Sequence, residues 1–348
     1  MSRSSFSCTV KLFAVKSEQL LSTSGEASQV IGNPSPGQKL NVSVVNSLDR
    51  FRVVVSRLLD DLLSKRPPLL GASEEEGAVS VEALVESCGQ LSRLMSMAVE
   101  PLLQSIEDAV GAIIETMHLE DFAMDDDGAS AAGAASGADQ QQQQQCSSYM
   151  RELQSFVSRV WADHLSSFLC RDFVYQLSTE VATKTAKQFL LHASLVRPLG
   201  DGGRLRLAAD FAQVELAVSP LCRRLADDLG DVYLTLRAVR PLLFEEPSTV
   251  ASHPSVGKEV PHWLAAHLLI SSSPSELPSA HESVGWSVAR YVTWFEEQQD
   301  ELARLQLLKG ALEAYARSVE AEGRSQYCHT YPLLLALLKD GLAAAAAS

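Results

Sequence analysis

The chain has 348 residues, and 29 lysines and arginines against 43 aspartates and glutamates leave a formal net charge of −14. At about 150 residues per domain, this length predicts two domains or one long helical assembly. With 46% hydrophobic and 21% charged residues the chain can bury a sizeable core, which excludes wholesale disorder. The shortage of clustered Lys and Arg argues against a nucleic-acid partner, because phosphate binding draws its affinity from such clusters.

Met1 to Lys16 carries Arg3, Lys11 and Lys16 among short apolar pieces. It lacks the apolar core of about 7–15 residues that marks a signal peptide, so a cytosolic location is expected. Residues 22–39 and 64–79 mix Gly, Pro and Ser without an apolar period and read as loops. Gln38 to Asn46 (QKLNVSVVN) is the one passable strand candidate. From Val81 the apolar positions run Leu84, Val85, Cys88, Leu91, Met95, Ala98, Leu102, Ile106, Val110, Ile113 and Met117, in helical steps of three and four. Pro101 interrupts that stripe, predicting a kink or two abutting helices.

Residues 120–148 combine an acidic triplet, an Ala/Gly/Ser tract and the run Gln140 to Gln145. Nothing in them offsets the entropy of ordering, and they read as a disordered insertion. Helical period resumes at Leu153, Phe156, Val160, His164 and Phe168, and again from Phe173 to Phe189. Further helices are expected at 204–228, 231–244, 261–270, 284–297, 301–320 and 332–340, the last with Thr330 as a cap and Gly341 as its stop. The fold class is all-α, as stacked helical bundles. The expected organisation is an N-terminal segment, partly irregular (1–40), a helical segment (41–119), the insertion (120–148), a C-terminal helical bundle (149–341) and a tail (342–348). The longest apolar run, Pro332 to Leu338, falls well short of the ~20 residues of a membrane span.

Chemical motifs are sparse. The six cysteines (Cys8, Cys88, Cys146, Cys170, Cys222, Cys328) have no CxxC spacing and read as reduced residues packed as small apolar groups. No GxSxG elbow is present. His262 and His267 lie five apart, which on a helix separates them by about 140°, so they cannot share a metal. His164 and His192 sit on or beside apolar stripes, as satisfied or partly buried histidines do. The four tryptophans, Trp161, Trp263, Trp286 and Trp294, fall mostly on helical stripes and read as core. No catalytic residue, metal ligand or cofactor site emerges.

Gly200-Asp201-Gly202-Gly203 is the one glycine-rich corner that opens a helix. It reads as a tight turn in which the glycines supply positive φ and Asp201 caps the next helix; a partner-binding corner and a phosphate or nucleotide site are the alternatives. Between residues 197 and 240 the cations are all arginine, Arg197, Arg204, Arg206, Arg223, Arg224, Arg237 and Arg240, and they exceed the acids by one. On an acidic chain that set is a candidate partner-binding face, since Arg contacts carboxylates in bidentate fashion. The competing reading is internal, with Arg206–Asp210 and Arg223–Asp227 as solvated i,i+4 pairs. Residue spacing stops at an acidic, all-α protein fitted to be a scaffold rather than an enzyme.

His192 to Arg224 (HASLVRPLGDGGRLRLAADFAQVELAVSPLCRR) carries a resemblance beyond these patterns. With Glu18 to Gly32, Asn41 to Leu48, Ala112 to Phe122, Tyr149 to Phe156, Leu236 to Phe244 and Lys309 to Val319, in the same order, it resembles the subunit five family of the conserved oligomeric Golgi complex. The resemblance covers roughly residues 17–340. It implies a rod of stacked helical bundles, as in related tethering subunits, and a non-catalytic role in retrograde, intra-Golgi vesicle transport. Its implied place is the peripheral, cytosolic face of Golgi membranes, held through partners. The implied partners are other subunits of the complex, subunit seven above all, with SNAREs, Rab GTPases and coiled-coil tethers; a generic helical adaptor is the alternative outside Golgi traffic. Family members are much longer and carry an N-terminal coiled coil with no counterpart here. The resemblance therefore implies that the chain is a C-terminal part, a short isoform or an incomplete gene model. The Ala- and Gln-rich insertion and Met1 to Lys16 have no match in the family.

Overall fold

The computed structural model of the chain describes residues 3–21, 25–64, 74–124, 146–324 and 326–347. Among these residues there is one isolated β-bridge, Val256 to Val260, and no strand. The chain divides into two compact units, residues 1–109 with 159–181 and residues 110–158 with 182–348.

The first unit holds α1 (Arg3–Leu20), α2 (Pro36–Ser64) and most of α3 (Glu74–Glu115). Helix α2 overturns the strand candidate Gln38 to Asn46 and begins inside the stretch read as a loop. Ser35 Oγ accepts from the Gln38 N–H at 3.1 Å, Gln38 Oε1 accepts from the Ser35 N–H at 3.0 Å, and Pro36 fills the first helical position. This is a capping box with proline where its missing N–H costs nothing. The segment then buries Asn41, Val44, Val45, Leu48 and Val55, a spacing only a helix satisfies.

Helix α3 runs through Pro101 without dividing in two. Leu91, Met95, Ala98, Val99, Leu102 and Ile106 are buried on both sides of the proline. Asn41 Nδ2 donates to the Ala98 carbonyl at 3.1 Å, next to the Met97 carbonyl that Pro101 deprives of its helical donor. The expected stripe is otherwise kept, except that Ile114 rather than Ile113 is buried, while Val85 is half exposed. Residues 65–73 of the second expected loop lie outside the described residues, and α3 begins at Glu74.

The second unit takes the end of α3, then α4 (Ser148–Arg159), followed without a break by a π-helical turn (Val160–Leu165) that belongs to the first unit, and the larger part of α5 (Arg171–Ser194). It continues with α6 (Asp201–Val218), α7 (Leu225–Leu229), α8 (Asp231–Leu242), α9 (Pro247–Ala251) and α10 (His262–Ser271). Helices α11 (Ala280–Ser283), α12 (Val288–Glu297), α13 (Glu301–Ala321) and α14 (Tyr331–Ala347) complete it. The helix expected over 204–228 stops at Val218 because Pro220 opens a 3-10 turn, and the helix expected over 284–297 begins only at Val288, capped by Ser287, after Gly285 with φ +70°. Tyr149, Leu153, Phe189, Phe211, Leu236, Tyr291, Phe295, Leu305 and Leu334 form the buried interior. Phe189 and Phe211 meet edge to face with centroids 4.9 Å apart, locking α5 to α6.

Gly341 is not a stop. Helix α14 continues through it to Ala347, and a Cβ there would lie 2.8 Å from Cβ of His262. The missing side chain lets α14 close on α10. Two edges of the insertion expected to be disordered are ordered: Glu120 to Met124 and Cys146 to Ser148 are built into the second unit, and residues 125–145 lie outside the described residues.

Candidate functional site

The glycine corner is closed by the chain itself. The Gly200 N–H donates to the Phe122 carbonyl at 2.8 Å and the Gly203 N–H to the Met124 carbonyl at 3.3 Å. These are donors of the helix start, the groups that would otherwise cradle a phosphate. Gly200 is the N-cap of α6 with extended backbone, φ −77°, and Asp201 is the first helical residue rather than the cap. Neither glycine is needed for positive φ. Both are needed for close approach: a Cβ at Gly200 would sit 2.6 Å from the Ala123 carbonyl oxygen, and one at Gly203 would run into the Phe122 carbonyl.

A polar cluster pins the same strap. Arg206 ion-pairs with Glu120, donates from Nε to Ser147 Oγ at 2.9 Å, and lies over the Phe122 ring at 5.4 Å. Glu120 Oε1 in turn accepts from the N–H of Ser148 at 2.7 Å and of Tyr149 at 3.1 Å, capping α4. Asp210, fully buried, accepts from Ser147 Oγ at 2.6 Å and from the Tyr149 hydroxyl at 2.7 Å. Burial pushes the Asp210 carboxyl above its ordinary range, against the pull of the Ser147 and Tyr149 bonds and the Arg206 charge. The cluster holds both chain ends flanking 125–145 onto α6.

The i,i+4 pairs read from the sequence are therefore replaced by other partners. Arg206 serves Glu120 and Ser147, and Asp227 pairs at 2.9 Å with Arg224 rather than Arg223. Arg197 also turns inward, donating from Nη2 to the Pro274 carbonyl at 2.6 Å and the Leu277 carbonyl at 2.7 Å. Burial lowers its affinity for the proton, and Glu282 counters this. Arg204 borders a cleft of about 230 Å³ between Val196, Leu243, Pro247 and Leu269. Arg223, Arg224, Arg237 and Arg240 are exposed, with Arg237 Nη1 3.6 Å from Glu215. The seven arginines thus do not form one face.

His164, His192 and His267 are buried, and His118 is partly so. His118 Nε2 lies 3.0 Å from His192 Nδ1, and His267 Nε2 lies 2.7 Å from the Tyr291 hydroxyl. Burial, reinforced by His281, holds His118 down to about 4 and His267 to about 3; burial beside His118 brings His192 to about 3. His164, on the π-helical turn, is buried and its Nδ1 has no partner, unlike a satisfied core histidine. Cys88, Cys146, Cys170, Cys222 and Cys328 are free thiols. None of the four tryptophans is fully buried, although Trp263, Trp286 and Trp294 stack into the ring cluster around Phe295 and Tyr291. Among the described residues, no group of three or more His, Cys, Asp or Glu side chains is placed to hold a metal ion.

No family model matches the chain, and no solved structure matches it. Curated relatives do. Mouse conserved oligomeric Golgi complex subunit 5 is 43% identical over 336 residues, which is 97% of this chain and 38% of the mouse protein. The chain is homologous to these subunit 5 proteins. The fruit fly subunit 5 is 27% identical over 97% of the chain and 42% of its own length, and that of Arabidopsis thaliana 27% identical over 92% and 36%. The chain therefore spans about two fifths of the length of the curated subunit 5 relatives. The homology extends over nearly the whole chain, so both units share in it, with the closed corner of α6 inside the stretch His192 to Arg224. No helix among the described residues is long and apolar enough to cross a membrane.

Proposed function

We propose that the chain works as a non-catalytic subunit of a Golgi vesicle-tethering complex, supporting retrograde intra-Golgi transport by presenting helical faces to other proteins. The observation that carries this reading is the 43% identity to mouse subunit 5 across 97% of the chain. Subunit seven is the expected close partner, and SNAREs, Rab GTPases and coiled-coil tethers are the further ones. Association with the cytosolic face of Golgi membranes is peripheral and runs through those partners. The phosphate or nucleotide alternative loses its support, because carbonyls of residues 122 and 124 already take the N–H groups of Gly200 and Gly203.

Co-expression with the other subunits of the complex tests the reading: the chain is expected to co-purify with at least one of them. Recovery as an unattached monomer under gentle conditions overturns it. Of the seven candidate arginines, those with exposed side chains, Arg223, Arg224, Arg237 and Arg240, are the ones proposed to meet partners. Arg223→Glu with Arg224→Glu is expected to lose a partner while far-ultraviolet circular dichroism stays unchanged; a collapsed signal would make those arginines structural.

A further inference from the structure

Within the first unit, the start of α2, the middle of α3 and the π-helical turn enclose a cavity of about 340 Å³. Val42, Val99, Leu102 and Phe168 give it an apolar wall. The rest of its lining is largely polar, and much of that is bonded to main chain. Gln38 donates to the Ala27 carbonyl at 3.3 Å, Asn41 to the Ala98 carbonyl at 3.1 Å and Ser43 to the Lys39 carbonyl at 2.9 Å, while Asn46 accepts from the Leu169 N–H at 2.7 Å. His164 is the exception. It lines the cavity with 3% of its surface exposed, and neither ring nitrogen is bonded to another described residue. Buried polar groups are nearly always paired, and the π-helical turn that carries this one is a rare geometry that recurs at functional sites. Burial lowers the proton affinity of His164, so at neutral pH the ring is uncharged and offers one donor and one acceptor. The side chains of Lys39 and half-buried Asp163 also line the cavity, and they make no hydrogen bond or salt bridge among the described residues.

We propose that this cavity binds a small zwitterion with an apolar body, of the size of an amino acid. Its ammonium would meet Asp163 and the accepting nitrogen of His164, its carboxylate Lys39, and its body the wall formed by Val42, Val99, Leu102 and Phe168. The lining selects this ligand. One free carboxylate and one free ammonium border the cavity, so a ligand with one charge of each sign pairs both, whereas a bare cation or a bare anion leaves one unpaired and meets its like. Water would satisfy His164 but leave the apolar wall wet. The volume lies at the small end of ligand pockets, which excludes a helix of a partner protein. Because the ligand is net neutral, the −14 of the chain neither draws nor repels it. The proposal goes beyond the tethering role, and its test needs no Golgi component, so the two can fail separately.

The full chain is titrated, by calorimetry and saturation-transfer NMR, with L-phenylalanine, phenethylamine and 3-phenylpropionate. The three share a ring, and the last two keep only the ammonium or only the carboxylate. L-phenylalanine is expected to bind at least about tenfold more tightly than either. Asp163→Asn is expected to weaken L-phenylalanine by about tenfold and to leave 3-phenylpropionate unchanged, and Lys39→Gln to weaken it while leaving phenethylamine unchanged. The imidazole nitrogen signals of His164, assigned through His164→Gln, are expected to move as L-phenylalanine is added. Ala98→Phe, which fills the cavity, is expected to abolish binding; should that variant fail to fold, Asp163→Asn and Lys39→Gln, checked by circular dichroism and melting temperature, carry the test. Equal binding of the three compounds, binding of none, an L-phenylalanine affinity untouched in the folded variants, or His164 signals that stay in place each overturns the proposal.

Discussion

Gly203 faces the carbonyl of Phe122 with no room for a methyl group, and that one contact turns a would-be anion site into a structural joint. The same residue pattern, glycines opening a helix, serves either role; which it serves depends on what lies against the N–H groups. Here it is main chain from far earlier in the sequence, held by Arg206, Glu120 and Asp210. Gly203→Ala is expected to force the strap away and destabilise the second unit by about 1–3 kcal/mol, the usual cost of overpacking, read as a lower urea midpoint. A variant as stable as the parent would show that the strap can yield freely. Asp210 is the residue no sequence pattern singled out for this role. Its i,i+4 spacing to Arg206 suggested a surface pair, whereas its carboxylate is buried under the Ser147 and Tyr149 hydroxyls.

Two glycines at the scale of whole helices make opposite predictions from the same substitution. Gly341 lies within α14 against His262 and Leu305, whereas Gly310 lies within α13 with nothing within 4 Å of the place a methyl group would take. Alanine removes glycine's backbone penalty of about 1 kcal/mol in a helix, so Gly310→Ala should raise the melting temperature. At Gly341 the clash with His262 outweighs that gain, and Gly341→Ala should lower it by the equivalent of about 1–3 kcal/mol. Thermal unfolding of the two variants side by side separates propensity from packing; a shift of the same sign in both would contradict the close approach of α14 to α10. Helix α2 teaches the complementary point. Its β-branched run suggested a strand, but Ser35-Pro-Gly-Gln38 was a legible capping box, and burial every three to four residues settled the period.

Acid is the whole molecule's weak side. His118 titrates near 4 and His192 and His267 near 3, against about 6.5 in the unfolded chain. Below about pH 6.5 the unfolded state takes up protons that the folded state refuses, so stability is fully present at neutral pH and falls with pH by about 1.4 kcal/mol per unit for each such histidine. Urea midpoints at about pH 7.5 and about pH 5.5 should therefore differ, with less stability at the lower value, and His267→Gln should flatten the slope. A midpoint independent of pH across that range would mean that these rings are reachable by solvent.

Helical period by itself determined the all-α class and most helices of the second unit, because a buried stripe must repeat every 3.6 residues wherever its partner lies. Ordered sequence agreement likewise carried the relation to subunit 5, which the 43% identity to the mouse protein bears out. The tertiary structure alone decided that the glycine corner is closed, that Gly341 is a contact rather than a stop, and that Arg197 and Arg206 point inward while Arg237 and Arg240 point out. Each of those outcomes depends on a group far away in the chain, or on which side of a helix the core happens to fall, and local spacing holds no record of either.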